Sequence, residues 1–222
     1  MQLRSDDFHN FVSQHMEPTL IEQAINLLPK HSNWIVKTDV NYNAGGMVGQ
    51  LDIVIADKVS KRVAIIEAKA PLAPHGARLT ARLAGRVEEG LAQLDKFESL
   101  TEALKKEIIL KEFGEVMDNP SYDYVLLARS CFGSVNAWER SSNIKLITLS
   151  LLSGASLENG YETSLEVYLN SCVSIFDDFF SNTKSEWEIA KIDLCGKELS
   201  FPNLVYDDAY VEKRRKELHA EK

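Results

Sequence analysis

Residues 49–71 read GQLDIVIADKVSKRVAIIEAKAP, and the fold turns on how that stretch is read. Two apolar runs rich in Ile and Val, Gln50 to Ala56 and Arg62 to Ala70, flank a polar break at Asp57 to Lys61, which predicts two β-strands joined by a turn. Strict alternation sets Leu51, Ile53 and Ile55 on one face against Val54 and Ala56, and Val63 and Ile65 against Ala64 and Ile66. Apolar side chains on both faces imply strands covered on both sides. Three charges interrupt the pattern: Asp52 near the start of the first strand, and Glu67 and Lys69 sharing one face of the second. Charges in such a setting need partners or a metal ion.

Outward from this pair, Trp34 to Tyr42 has β-character, and Asn43 to Gly46 (NAGG) reads as a turn into the Asp52 strand. Upstream, Asp6 or Asp7 suits the cap of a short helix. Pro18 suits the first turn of a second helix running to about Leu28, with Glu17 on the side of the Leu20, Ile21, Ala24 and Leu28 stripe. Downstream, the spacing predicts a helix over 77–97 with Leu79, Leu83, Val87 and Leu94 buried, and with Arg82, Arg86, Gln93 and Phe97 on a neighbouring face. Ser99 with Glu102 fits a capping box for a helix ending near Gly114. Strands are expected at Tyr122 to Arg129 and Ile144 to Leu152, an amphipathic helix at Thr163 to Phe180, a hairpin around Cys195 and Gly196, and a charged terminal helix from Asp207.

The 222 residues accommodate one large α/β domain: a core over 1–152 and a C-terminal helix and hairpin extension over 153–222 packed on it. With 25 Lys and Arg against 33 Asp and Glu, the net charge of −8 argues against coating nucleic acid by bulk positive charge. The acidic balance points to a partner subunit that supplies nucleic-acid affinity; a homo-oligomer is the other assembly expected. Cys131, Cys172 and Cys195 are widely spaced and lack a CxxC pair, which points to a reducing cytoplasm and not to a disulfide framework. No apolar run approaches the roughly 18 residues of a membrane helix, so no membrane partner is expected.

Asp52 and Glu67 offer hard oxygen ligands for Mg²⁺ or Mn²⁺, which one or two carboxylates plus waters and substrate phosphate commonly hold. The Ala68 carbonyl can add a third oxygen, and Lys69 can reach an attacking water or a scissile phosphate. Such a site suits phosphodiester hydrolysis.

The order helix, three strands carrying Asp52 and then Glu67-Ala68-Lys69, helix, strand resembles the PD-(D/E)XK nuclease superfamily, the restriction-endonuclease-like fold. The resemblance covers about Glu17 to Arg129. It implies a mixed β-sheet flanked by helices, metal binding by Asp52 and Glu67, assistance to the nucleophile by Lys69, and a contribution to the metal from Glu17. Gln93 to Phe97 (QLDKF) is similar to the Q-x-x-x-Tyr motif of RecB-like members, which implies a catalytic role for Gln93; Phe stands where the motif has Tyr, and Leu51 where a proline precedes the acid. The segment from Glu67 through Gln93 to Arg129 looks most like bacterial anti-phage nucleases of the Shedu type. DNA is then the expected substrate, ahead of RNA.

Bland alternatives stand beside each assignment. Asp52, Glu67 and Lys69 can form a structural ion pair across adjacent strands. Arg78, Arg82 and Arg86, four residues apart, can follow a phosphate backbone or form a solvated face paired with Glu88 and Glu89. A catalytically silent relative used for assembly or nucleic-acid contact, and an RNA endonuclease, are the competing functions. The histidines show no HExxH spacing, and the glycines of 45–49 form no P-loop.

Overall fold

The structure, a computed structural model, describes residues 12–70, 77–114, 119–129, 143–159, 163–182, 185–194, 197–206 and 216. The expected cap at Asp6 or Asp7 and the terminal helix beyond Asp207, apart from the helical Lys216, lie outside them. The chain divides into two compact units, 1–173 and 174–222.

In the first unit a short π-helical stretch, Val12–Met16, runs into α1 (Glu17–Leu27). Then come β1 (Trp34–Ala44), β2 (Met47–Asp57), β3 (Arg62–Lys69), α2 (Ala77–Glu98), α3 (Glu102–Phe113), β4 (Ser121–Ala128), β5 (Ile144–Thr148), α4 (Leu149–Asn159) and α5 (Leu165–Asn182), whose last turns enter the second unit. The five strands form one mixed sheet in the order β1-β2-β3-β4-β5, antiparallel from β1 to β3 and parallel from β3 to β5. Gly45 and Gly46, both at positive φ, make the two-residue turn between Ala44 and Met47, where a side chain would be strained.

Val54, Ala56, Val63, Ile65, Leu126 and Ala128 pack under Leu83, Val87, Leu91, Leu94 and Phe97 of α2 and Ile108 and Ile109 of α3. The intervening residues Ile53, Ile55, Ala64, Ile66 and Leu127 are equally buried and face the opposite way, toward the side of α1 and α4 with their buried Leu20, Ala24, Leu152 and Ala155. Covering on both faces explains the near-continuous apolar runs.

Strict alternation fails at one place. Leu51 belongs with Val54 and Ala56 in the α2 core, not with Ile53 and Ile55 as alternation alone predicts, and on β1 Val40 and Tyr42 share that core with Ile35. Both strands therefore reverse their faces between the pairs Thr38–Ile53 and Val40–Leu51. Asp39, with φ 54°, and Asp52 occupy the skipped pair, so Asp52 sits at a kink where the ladder opens.

Two boundaries differ from expectation. Thr101, not Ser99, caps α3 by accepting the Leu104 N–H, because buried Leu100 ends the preceding turn and the helix begins after it; the helix closes at Gly114 in the left-handed conformation. The strand expected over 144–152 stops at Thr148, whose hydroxyl accepts the Leu151 N–H and starts α4. The alternating KLITLSLL gives no warning of that switch.

The second unit contains an antiparallel hairpin, β6 (Ser185–Leu194) paired along its length with β7 (Lys197–Tyr206). Among the described residues no helix is long and apolar enough to cross a membrane.

Candidate metal and phosphodiester site

Asp52, Glu67 and Lys69 meet where β2 and β3 part. The last paired residues are Ile53 and Ile66, and one step further the register sets Asp52 opposite Glu67. The Asp52 carboxylate takes over from the ladder and accepts the Ala68 N–H through Oδ2 at 2.8 Å. Glu67 and Lys69 are almost fully buried, exposing 2% and 5% of their surfaces, and Lys69 Nζ donates to Glu67 Oε1 at 2.5 Å. Gly90 of α2 permits this: a Cβ there would stand 2.5 Å from Leu126 Cδ1 and 3.1 Å from Lys69 Cγ. The helix thus lies directly on the lysine stem.

Burial pushes the Glu67 carboxyl up to about 8; the neighbouring Asp52 charge adds to this, Lys69 opposes it, and Glu17 adds a little more. Burial also raises Asp52, against the Ala68 N–H and Lys69, with Glu17 and Asp39 reinforcing the rise. Tyr42 is raised by burial and by the Glu67 charge. The cluster is thus short of positive charge despite Lys69.

Glu17 is held by Arg86 of α2, whose other terminal nitrogen donates to Glu89 at 2.7 Å. Because α1 and α2 cover opposite faces, this ion pair crosses the end of the sheet beside the acids. Arg86 is thereby committed to carboxylates and not to a phosphate backbone. Arg82 is exposed, and the side chain of Arg78 lies outside the described residues. Gln93 is exposed, while Phe97, expected on its face, is fully buried and meets the Tyr42 ring edge-on at 5.4 Å. The aromatic position thus serves packing; a tyrosine hydroxyl there would be buried. Sequence reasoning missed Gly90 and the Glu17–Arg86 pair. A glycine inside a strongly amphipathic helix is the one signal that marked Gly90.

Among the described residues no three His, Cys, Asp or Glu side chains gather as a metal-binding group. The donors that do meet, Asp52 and Glu67, suit a hard cation that keeps water and substrate oxygens in the rest of its shell. Glu17 acts on them through its charge. Compared with protein-family models and with curated proteins, the chain matches none.

Proposed function

We propose that this chain is a divalent-metal-dependent nuclease with a restriction-endonuclease-like core that hydrolyses DNA phosphodiester bonds. The observation that carries the proposal is a pair of carboxylates at a strand opening, Glu67 buried and Asp52 half-buried, both with raised proton affinity although a lysine touches one of them. Asp52 and Glu67 would hold Mg²⁺ or Mn²⁺, with the Ala68 carbonyl as a third oxygen. A bound ion supplies an activated water and offsets charge growing on the phosphate.

Lys69, whose ammonium touches Glu67, would orient the attacking water and donate hydrogen bonds to the scissile phosphate. Tyr42, whose hydroxyl feels the Glu67 charge, is buried and packs edge-on against Phe97. The likeness to Shedu-type nucleases in 67–129 extends the proposal to phage defence.

A second reading has its own observation. Glu67–Lys69 and Glu17–Arg86 are closed ion pairs within the protein, as a silent scaffold would require. One experiment separates the two. Plasmid DNA, single-stranded DNA and RNA are incubated with Mg²⁺ or Mn²⁺ and with EDTA, using wild type and Lys69→Ala. Metal-dependent cutting of DNA that collapses in Lys69→Ala supports the nuclease, and preferential cutting of RNA reassigns its substrate. No cutting, together with no heat of Mn²⁺ binding, establishes the scaffold.

A further inference from the structure

A depression lies on the α1 side of the sheet, at the C-terminal end of β4. It is a cavity of about 180 Å³ lined by His15, Met16, Thr19, Leu20, Gln23 and Arg129. That volume is far above the roughly 10–15 Å³ that holds one water. Its place in the fold follows from the register. Lys69 is paired in parallel with Ala128, so Arg129 follows at the C-terminal end of β4, alongside Ala70. The opposite wall comes from the π-helical turn and the first turns of α1, where Met16 directly precedes Glu17. The cavity is therefore bounded by the chain neighbours of Glu17 and by the strand next to Lys69.

Its chemistry differs from that of the acids. No carboxylate lines it, whereas the larger cavity between α1 and β1 is lined by Glu22 and Asp39. Arg129 brings a planar fork of donors, and the Gln23 amide adds to it. The Thr19 hydroxyl already donates to the His15 carbonyl at 2.6 Å, so it faces a ligand as an acceptor only. In a chain of net charge −8, a guanidinium and an amide around one carboxylate-free hollow mark a place for an anion.

We propose that this cavity seats a backbone phosphate of the substrate strand, adjacent to the phosphodiester that is cut, with the Arg129 guanidinium as its principal contact. The proposal deepens the nuclease reading and rests on it for the identity of the anion. The strand would run across the end of the sheet from the Asp52–Glu67 opening to Arg129, which sets register and polarity without reading base sequence.

The test measures affinity of a fluorescent single-stranded oligodeoxynucleotide against salt, using full-length protein with Mg²⁺ in a Lys69→Ala background that suppresses cutting. Arg129→Ala is expected to weaken binding about tenfold and to reduce the salt slope by roughly 0.7, the value of one lost phosphate contact on a single strand. Arg129→Lys keeps the charge, so most of the slope returns. Calorimetric Mn²⁺ binding stays as in the parent protein, a readout that misfolding would move. Equal affinity and slope in Arg129→Ala and its parent overturn the proposal, as does failure of the parent to bind the probe. Arg129-dependent binding by a wild type that cuts nothing leaves the phosphate seat standing and removes the nuclease reading. Cutting by wild type with a slope indifferent to Arg129 does the reverse.

Discussion

Lys69 carries two possible duties that one substitution separates. It is the nearest cation to Glu67, and removing it leaves a buried acid without its partner. A purely structural lysine would therefore reveal itself in Lys69→Ala as lost stability, with metal binding and any cutting unmoved. A lysine that handles the water or the phosphate reveals itself as a drop in cleavage rate of about 10²- to 10⁴-fold, with Mn²⁺ affinity kept or raised because a competing cation has gone. Single-turnover rates and calorimetry on the same variant decide between them. At this scale the sequence was informative, since Asp52, Glu67 and Lys69 interrupt runs of Ile and Val, where a charge requires an explanation. Arg86 was not legible in the same way. Its partner Glu17 is 69 residues away, and the local pattern offered only Glu89 and Glu88.

The elements position these residues through contacts that local periodicity does not encode. Gly90 lets α2 lie against Lys69 and Leu126. Gly90→Val is expected to cost about 1–3 kcal/mol by overpacking and to lower cleavage more than stability alone explains, because the lysine stem is displaced; thermal melts and rates on the folded variant check this. Asp57, at the end of β2, binds the next turn and the start of α5 together. It accepts the Val59 and Ser60 N–H groups, the Ser60 hydroxyl and the Leu165 N–H. Burial raises its carboxyl, but these hydrogen bonds outweigh burial and hold it below the ordinary value. A depressed folded pKa contributes stability that is present above the unfolded value, near 3.9, and is lost as pH falls through the folded one. Urea melts from neutral pH down to about pH 3 should show that acid-limb loss in wild type and a smaller one in Asp57→Asn, which starts about 1–3 kcal/mol less stable. An acid limb as steep in the variant as in wild type would refute this role. The face reversal at Asp39 and Asp52 belongs to the same scale. Alternation predicts the wrong companions for Leu51 because a kink in a paired neighbour, with φ 54° at Asp39, turns both strands over.

For the whole molecule, a cation that binds the folded state and not the unfolded chain raises the melting temperature by mass action. At a hundredfold excess over Kd, Mn²⁺ is expected to stabilise wild type by about 2.7 kcal/mol, and Glu67→Gln should lose most of that shift. An equal shift in both proteins would locate the ion elsewhere. The sequence by itself determined the α/β class, the central hairpin of β2 and β3, the long α2 with its buried stripe, and the coincidence of two acids and a lysine in apolar strands, because each is written in the spacing of neighbouring residues. Only the tertiary structure decided that Asp52 stands at an opening in the ladder, that Arg86 reaches Glu17 around the end of the sheet, that Phe97 is core, and that Arg129 and His15 line one hollow under α1. Those facts join residues far apart in the chain, and the geometry that joins them is set by strand register and by which sheet face each helix covers.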